Sequence, residues 1–386
     1  MIKRAFPILA VSIFACMLGS GIVVPLLPLY AESLGATGIG LGVIFAGFAI
    51  SRTLVTPLFG RLSDLHGRRP FIVVGLLLYA VISPAFLWAD SVVQLTLVRF
   101  AHGIAGGLIL PIAQAYVGDI SPEGEEGKWM GYANAAFFGG FGFGPLLGGV
   151  VTRYYGMDVA FFAMGGLSLL AFFIALFFLP EVARKHASSA PRLSFREMGR
   201  SRLTGGLFGY RLAQTLARAA FFTFLPIFAA TRLGLSVDLI GILFAVHVLL
   251  VAVLGIPLGR VADRLSRRFM VVLGCLVTFA FMVMLPLASG FPVLMALIIL
   301  GGIGNAISTP AASALVIEEG RRYGMGSTVA VFTTALNIGM AVGPILAGVI
   351  VDYSGINAAF YFGAVAVLAG AGVFVWFTST SRSVTV

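Results

Sequence analysis

Acidic side chains are scarce in this chain. Aspartate and glutamate number 15 among 386 residues, and none falls in the middle of an apolar run. Glu32, Asp90, Asp158, Asp238 and Asp352 stand near run ends on one side, and the other ten collect on the opposite side. Cysteine is scarcer still. Cys16 and Cys275 both lie inside apolar stretches, which supports neither a disulfide framework nor a thiolate metal cluster. The four histidines (66, 102, 186 and 247) are scattered, with no metal-ligand spacing and no nucleophile–base set, so no enzyme is expected. No G-x-x-x-x-G-K-S/T phosphate loop occurs, which removes the usual means of direct ATP hydrolysis. An ion gradient is then the expected energy source, with no cofactor.

What the chain has in excess is apolar surface: 59% of residues are hydrophobic and only 10% charged, with a mean hydropathy of +1.04. No water-soluble fold hides that much, so lipid is part of its solvent. Twelve runs are long enough to cross a bilayer: 5–31, 38–60, 70–89, 92–118, 128–152, 157–179, 204–231, 237–259, 269–289, 292–317, 325–351 and 356–378. The expected class is an all-α integral membrane protein. The opening MIKRAFPILAVSIFAC imitates a signal peptide, but its apolar run continues to Tyr30, so it is read as an uncleaved first span.

The net charge of +10 would suggest nucleic acid in a soluble protein. Here 19 of the 25 basic residues fall on one side of the twelve runs and two, Arg153 and Arg232, on the other. The positive-inside rule therefore places both termini in the cytoplasm and the protein in the cytoplasmic membrane, with lipid rather than nucleic acid as partner.

Residues 181–203 are polar and basic, and divide the chain into 1–180 and 204–386, six runs each. Adding 199 to a position in the first half lands on its counterpart: Gly60 on Gly259, Asp64 on Asp263, Arg68 on Arg267, Arg69 on Arg268, Asp119 on Glu318 and Pro145 on Pro344. Two six-helix bundles related by a parallel repeat are expected, as in one class of transporter.

Two features carry chemistry. GRLSDLHGRR (60–69) and GRVADRLSRR (259–268) place basic side chains beside carboxylates at the cytoplasmic surface, near Asp119 and Glu318. Asp64, Arg68, Arg69 and Asp119, with Asp263, Arg267 and Glu318, are expected to form breakable ionic latches. GGFGFGPLLGG (139–149) repeats Gly140, Gly144 and Gly148 every four residues, giving one helix face that admits a neighbouring backbone. Pro145 and Gly149 complete the phrase, and Gly339, Gly343 and Pro344 repeat it in the second half.

These phrases resemble motifs of the major facilitator superfamily, and within it the twelve-helix drug/proton antiporters. GRLSDLHGRR resembles the loop motif G-x-L-x-D-x-x-G-R-R/K, and GGFGFGPLLGG the antiporter motif G-x-x-x-G-P-x-x-G-G. LGSGIVVPLLP (18–28) is similar to the first-span motif, and RFAHGIAGG (99–107) to the fourth-span motif R-x-x-Q-G. The resemblance implies a monomeric, alternating-access exporter of small amphipathic molecules. It implies that Asp64 approaches the start of span eleven, that Arg68 pairs with Asp119, and that Arg99 serves conformational change or proton coupling.

The chain departs from that pattern in lacking a mid-membrane carboxylate, and in carrying His102 where the motif has glutamine. Four arginines lie inside spans instead: Arg52, Arg99, Arg211 and Arg218. Arg211 and Arg218, seven apart, share a helix face with Gln214 nearby. Arg218, Arg52, Arg99, His247, Gln114, Asn134, Asn305 and Asn337 are the candidate substrate-binding residues, with Phe221, Phe222 and Phe224 as apolar walls. His247, Arg99 and Asp119 are the candidates for proton coupling. Two readings result: proton-coupled efflux of amphipathic compounds, or an anion-selective carrier or lipid flippase using the arginines.

Overall fold

A computed structural model of the chain describes residues 2–122, 125–181 and 201–379, apart from the side chains of residues 3, 4, 126, 263, 325 and 326. Regular structure among them is helical: α1 (Ile2–Ser33), α2 (Gly38–His66), α3 (Arg69–Ile82), α4 (Val92–Ile120), α5 (Glu126–Tyr155) and α6 (Met157–Phe178) in the first half. The second half holds α7 (Arg202–Leu233), α8 (Val237–Arg264), α9 (Arg267–Met284), α10 (Phe291–Tyr323), α11 (Met325–Ser354) and α12 (Asn357–Ser379). Short 3-10 turns, Ser83–Trp88 and Leu285–Leu287, prolong α3 and α9. All twelve helical segments are long and apolar enough to cross a membrane, as expected. Most of the polar linker, residues 182–200, lies outside the described residues.

Local sequence sets the helix ends. Thr37, Ser91 and Ser266 each cap a first turn, accepting from the backbone N–H of Gly40 (3.2 Å), Gln94 (3.3 Å) and Phe269 (3.4 Å). At the other end α2 runs to His66 and α8 to Arg264, five or six residues past the expected limits of 60 and 259. Most of GRLSDLHGRR is therefore helix rather than loop, because nothing before Gly67 breaks it. Gly67 reverses the chain with φ +97°, a conformation open to glycine. In the second copy Ser266 stands at that place with φ −61° and caps α9. The turn there needs no left-handed residue, which explains the missing glycine.

Contacts divide the chain into two units, Met1–Ala187 with Ala229–Leu249, and Ser188–Phe228 with Leu250–Val386. In the first, α1 packs on α5 and α6, and α2 and α3 on α4. In the second, α10 packs on α9 and α11, and α12 on α9. The internal contacts recur at the 199-residue offset. A Cβ on Gly75 would meet Leu108 at 2.8 Å, and one on Gly274 would meet Ser308 at 2.6 Å, so α3 presses on α4 as α9 presses on α10. Large apolar side chains such as Leu54, Leu97, Phe177, Val253, Ile256 and Val365 point outward, as lipid-facing positions must.

Candidate functional site

Arg68 is the hub of one cluster. Its Nε donates to Asp119 Oδ2 at 3.0 Å and its Nη1 to Ser63 Oγ at 2.8 Å. The same Nη1 lies 2.5 Å from Asp64 Oδ1. Its backbone N–H donates to Glu181 Oε1 at 3.2 Å. Asp64 comes from the last turn of α2, Arg68 stands just past the Gly67 reversal at the start of α3, and Asp119 arrives from the last turn of α4, so the cluster binds the ends of α2, α3 and α4. Ser63 and Glu181 are members that sequence reading missed. Ser63 sits one residue before the expected acid, but Glu181 follows α6 and only the fold brings it near.

The second unit repeats the pair: Arg267 Nη1 donates to Glu318 Oε2 at 3.3 Å. Arg267 and Glu318 are 35% and 45% exposed, against 18% and 21% for Arg68 and Asp119, so the second pair is the wetter and weaker. The side chain of Asp263, expected in this cluster, lies outside the described residues. Arg69 does not join the carboxylates. As the first residue of α3 it points to α6 and donates from Nη2 to the Leu176 carbonyl at 2.6 Å. Its repeat, Arg268, likewise donates to the Thr378 carbonyl at 3.0 Å. Both arginines thus tie helix ends together.

Two further carboxylates lie near this level. Glu319, next to Glu318, is 1% exposed. It accepts from Thr204 Oγ1 at 3.2 Å and from Ser201 Oγ, which fastens α10 to the start of α7. Glu125, before α5, accepts from Trp129 Nε1 at 3.0 Å and Lys128 Nζ at 3.3 Å, and these donors hold its carboxyl below the usual range.

The glycine phrase packs as its spacing indicates. A Cβ on Gly144 would stand 2.5 Å from Gly21 Cα, and one on Gly148 would stand 2.9 Å from Ile22 Cα. Gly140 faces the Phe14 carbonyl. These three glycines therefore seat the α1 backbone against α5. Gly149 faces the other way, toward Val237 and Asp238 at the start of α8, where Arg153 pairs with Asp238. In the second unit Gly339 and Gly343 meet Thr215 and Ala219 of α7 in the corresponding register. Both Pro145 and Pro344 lie inside unbroken helices.

The intramembrane arginines separate into two settings. In the first unit Arg99 lies over the rings of Phe48 and Phe45, 4.5 and 5.5 Å from their centroids. One turn on, His102 is buried in a box of Tyr79, Phe48 and Phe86, with the Tyr79 ring centroid 3.6 Å away. Tyr79 Oη in turn shares a 2.5 Å hydrogen bond with Ser20 Oγ of α1. Arg52 is half-buried in α2.

In the second unit, Tyr210, Arg211, Gln214, Thr215 and Arg218 of α7 join Asn305 and Thr309 of α10 around a small open recess. Of the sequence candidates the fold brings Arg218 and Asn305 together here, with Arg211 and Gln214. Tyr210, Thr215 and Thr309 were missed, though their i, i+4 relation to the named residues was legible. Gln114 and Asn134 are exposed, Asn337 is half-buried and His247 is buried in α8. Phe221 and Phe224 are 1% exposed, and Phe221 packs on Phe281, so they belong to the core rather than to a cavity wall.

Known proteins with this architecture follow from the same elements. The chain is 28% identical over 369 residues to an uncharacterised MFS-type transporter of Methanocaldococcus jannaschii, covering 94% of this chain and 95% of that one. It is 27% identical over 390 residues to multidrug resistance protein 2 of Bacillus subtilis, covering 97% and 95%. Among solved structures, a bacterial homologue of the human lysosomal transporter Spinster superposes with a TM-score of 0.84 at 14% identity, over 98% of each chain, which shows a shared fold. The Major Facilitator Superfamily model matches residues 9–215 and 207–385. Twelve membrane-crossing helices, a repeated arginine–carboxylate pair and a repeated glycine seam thus belong to a transporter, and the chain is a member of the Major Facilitator Superfamily.

Proposed function

We propose that this transporter is an alternating-access exporter of small amphipathic organic molecules, driven by protons entering down their gradient. It works in the cytoplasmic membrane with both termini in the cytoplasm, and its halves, 1–180 and 204–386, move as six-helix bundles joined by the 181–203 linker. The observation that carries this reading is the seam of Gly140, Gly144 and Gly148 against α1, matched by Gly339 and Gly343 against α7. Backbones packed this closely lock α1 to α5 and α7 to α11, which suits halves that each move as one body. The name of the Bacillus subtilis relative, a multidrug resistance protein, supports the outward direction.

The arginine–carboxylate pairs have the character of a reversible latch. Asp64 and Asp119 share one guanidinium, so in this arrangement Arg68 holds three helix ends at once. Opening the cytoplasmic face would require breaking a mostly covered charge-assisted contact, at roughly 1.5–3 kcal/mol. Proton coupling is assigned to His247, Arg99 or Asp119. The basic excess of the termini and the linker supports the orientation.

The test uses inverted membrane vesicles, whose exposed face is the cytoplasmic one, with an imposed gradient acid inside. Uptake of a fluorescent amphiphile that collapses on adding a protonophore is the expected result. Uptake that ignores the pH gradient, or flux only in the opposite sense, would overturn the proposal.

A further inference from the structure

The recess on α7 has the chemistry of an anion receptor. Its seven lining residues include two guanidiniums, a phenol, two amides and two hydroxyls, and no carboxylate. The smaller groups are largely engaged with the protein. Thr215 Oγ1 donates to the Arg211 carbonyl at 2.8 Å, Asn305 Nδ2 to the Gly301 carbonyl at 3.0 Å, and Gln214 Nε2 to Cys275 Sγ at 3.4 Å. The guanidiniums are not. Arg218 is exposed to the recess and forms no ion pair or hydrogen bond with any described residue. Arg211 lies over the Phe332 ring, 4.9 Å from its centroid, and its buried Nε has no acceptor.

The acids nearest in the chain to Asn305 and Thr309 are committed elsewhere. Glu318 holds Arg267, and Glu319 holds the hydroxyls of Ser201 and Thr204. Arg218 lies about 21 Å along α7 from Thr204, by about 1.5 Å of rise per residue. Its side chain is therefore too short to snorkel to that end of the helix. A guanidinium at that depth is costly without a counter-charge and marks a substrate pathway by default.

We infer that the recess holds the anionic head of the transported molecule, a carboxylate, sulfonate or phosphate ester, with Arg218 as its primary partner and Arg211 as the second. Two guanidiniums two helical turns apart suit an acidic head at one and a further acceptor at the other. The enclosed room beside these side chains is about 10 Å³, enough for about one water and far below the roughly 300–1,000 Å³ of a site that engulfs a whole drug-sized ligand. The head therefore meets the exposed Arg218 from the open side of the recess, leaving the apolar body of the molecule beside Phe332. The inference deepens the exporter reading and rests on it for the word transported. It makes the cargo the opposite sign from the cations that an acidic site would select.

The experiment is counterflow exchange in proteoliposomes of the full-length protein, which reports the site irrespective of direction or coupling. The probes are fluorescein, an organic anion, and ethidium, a cation of similar size. Fluorescein should exchange saturably and ethidium should not. Arg218→Gln should weaken fluorescein exchange by on the order of 10- to 100-fold, as loss of a charge-assisted hydrogen bond does. Arg218→Lys, keeping the charge without the fork, should retain part of it.

On the wild-type protein alone, benzenesulfonate should compete and benzylamine should not, which keeps the test independent of whether a variant folds. Competition by lysophosphatidylglycerol at lower concentration than benzenesulfonate would support the anion site and assign a lipid source. The reverse order would support it and assign a free organic anion. Ethidium exchange without fluorescein exchange would overturn the anion site and leave the exporter standing. Fluorescein exchange unchanged in both Arg218→Gln and Arg211→Gln would also overturn it. If counterflow runs as expected but inverted vesicles show no proton-driven uptake, the exporter reading fails and the site survives.

Discussion

Arg68 and Asp119 are 51 residues apart in the chain and meet at 3.0 Å, and the same separation brings Arg267 to Glu318 at 3.3 Å. One contact made twice by a duplicated chain gives an internal comparison of the same chemistry in two environments. Arg68 is mostly covered and serves Asp119, Asp64 and Ser63, whereas Arg267 and Glu318 are more exposed. Arg68→Gln should therefore cost roughly 1.5–3 kcal/mol, as for a hydrogen-bonded charge. Arg267→Gln should cost about 0.2–1 kcal/mol, as for an exposed pair. Thermal midpoints of the two purified variants in the same detergent check this, and equal shifts would show that the two latches carry the same load.

The seam between α1 and α5 leaves no room at Gly144, where a Cβ would stand 2.5 Å from both Gly21 Cα and the Leu18 carbonyl oxygen. Gly144→Ala should destabilise the first unit by about 1–3 kcal/mol, the usual cost of overpacking. Gly131 lies on the same helix with nothing within 4 Å of its position. Gly131→Ala should be neutral or stabilising by about 0.5–1 kcal/mol, since alanine loses less conformational freedom in a helix. Monodispersity after a heating series separates the two, and a tolerated Gly144→Ala would mean that the helices part more easily than the seam implies.

Glu318 and Glu319 are neighbours with opposite fates. Glu319 is buried and holds Ser201 and Thr204, so Glu319→Ala strands two hydroxyls and should cost about 1–3 kcal/mol for each group left unpaired. Glu318→Ala removes only an exposed partner of Arg267 and should stay within about 1 kcal/mol. Glu319→Gln, which keeps an acceptor, should fall between them. Differential scanning fluorimetry of the three variants reads the order, and a larger loss at Glu318 would reverse the assignment.

The sequence by itself determined the solvent, the number of spans and the duplication. Hydrophobic runs of bilayer length and the offset of 199 are properties of one dimension, and each was visible in the order of residues. It also determined the glycine seam, because a four-residue repeat specifies a face of a helix without reference to the partner. The Arg68–Asp119 and Arg267–Glu318 pairs came from the repeat together with the family likeness.

Only the tertiary structure decided where side chains at equal depth were sent. Arg69 and Arg68 are adjacent in the chain, yet one donates to the Leu176 carbonyl and the other to carboxylates, because successive residues leave a helix start about 100° apart. Arg99 and Arg218 looked alike as unpaired intramembrane charges. Packing laid the first over Phe48 and left the second open to a polar recess shared with α10. Which helix faces which is a long-range choice, made by close packing of apolar surfaces that the local pattern leaves equivalent.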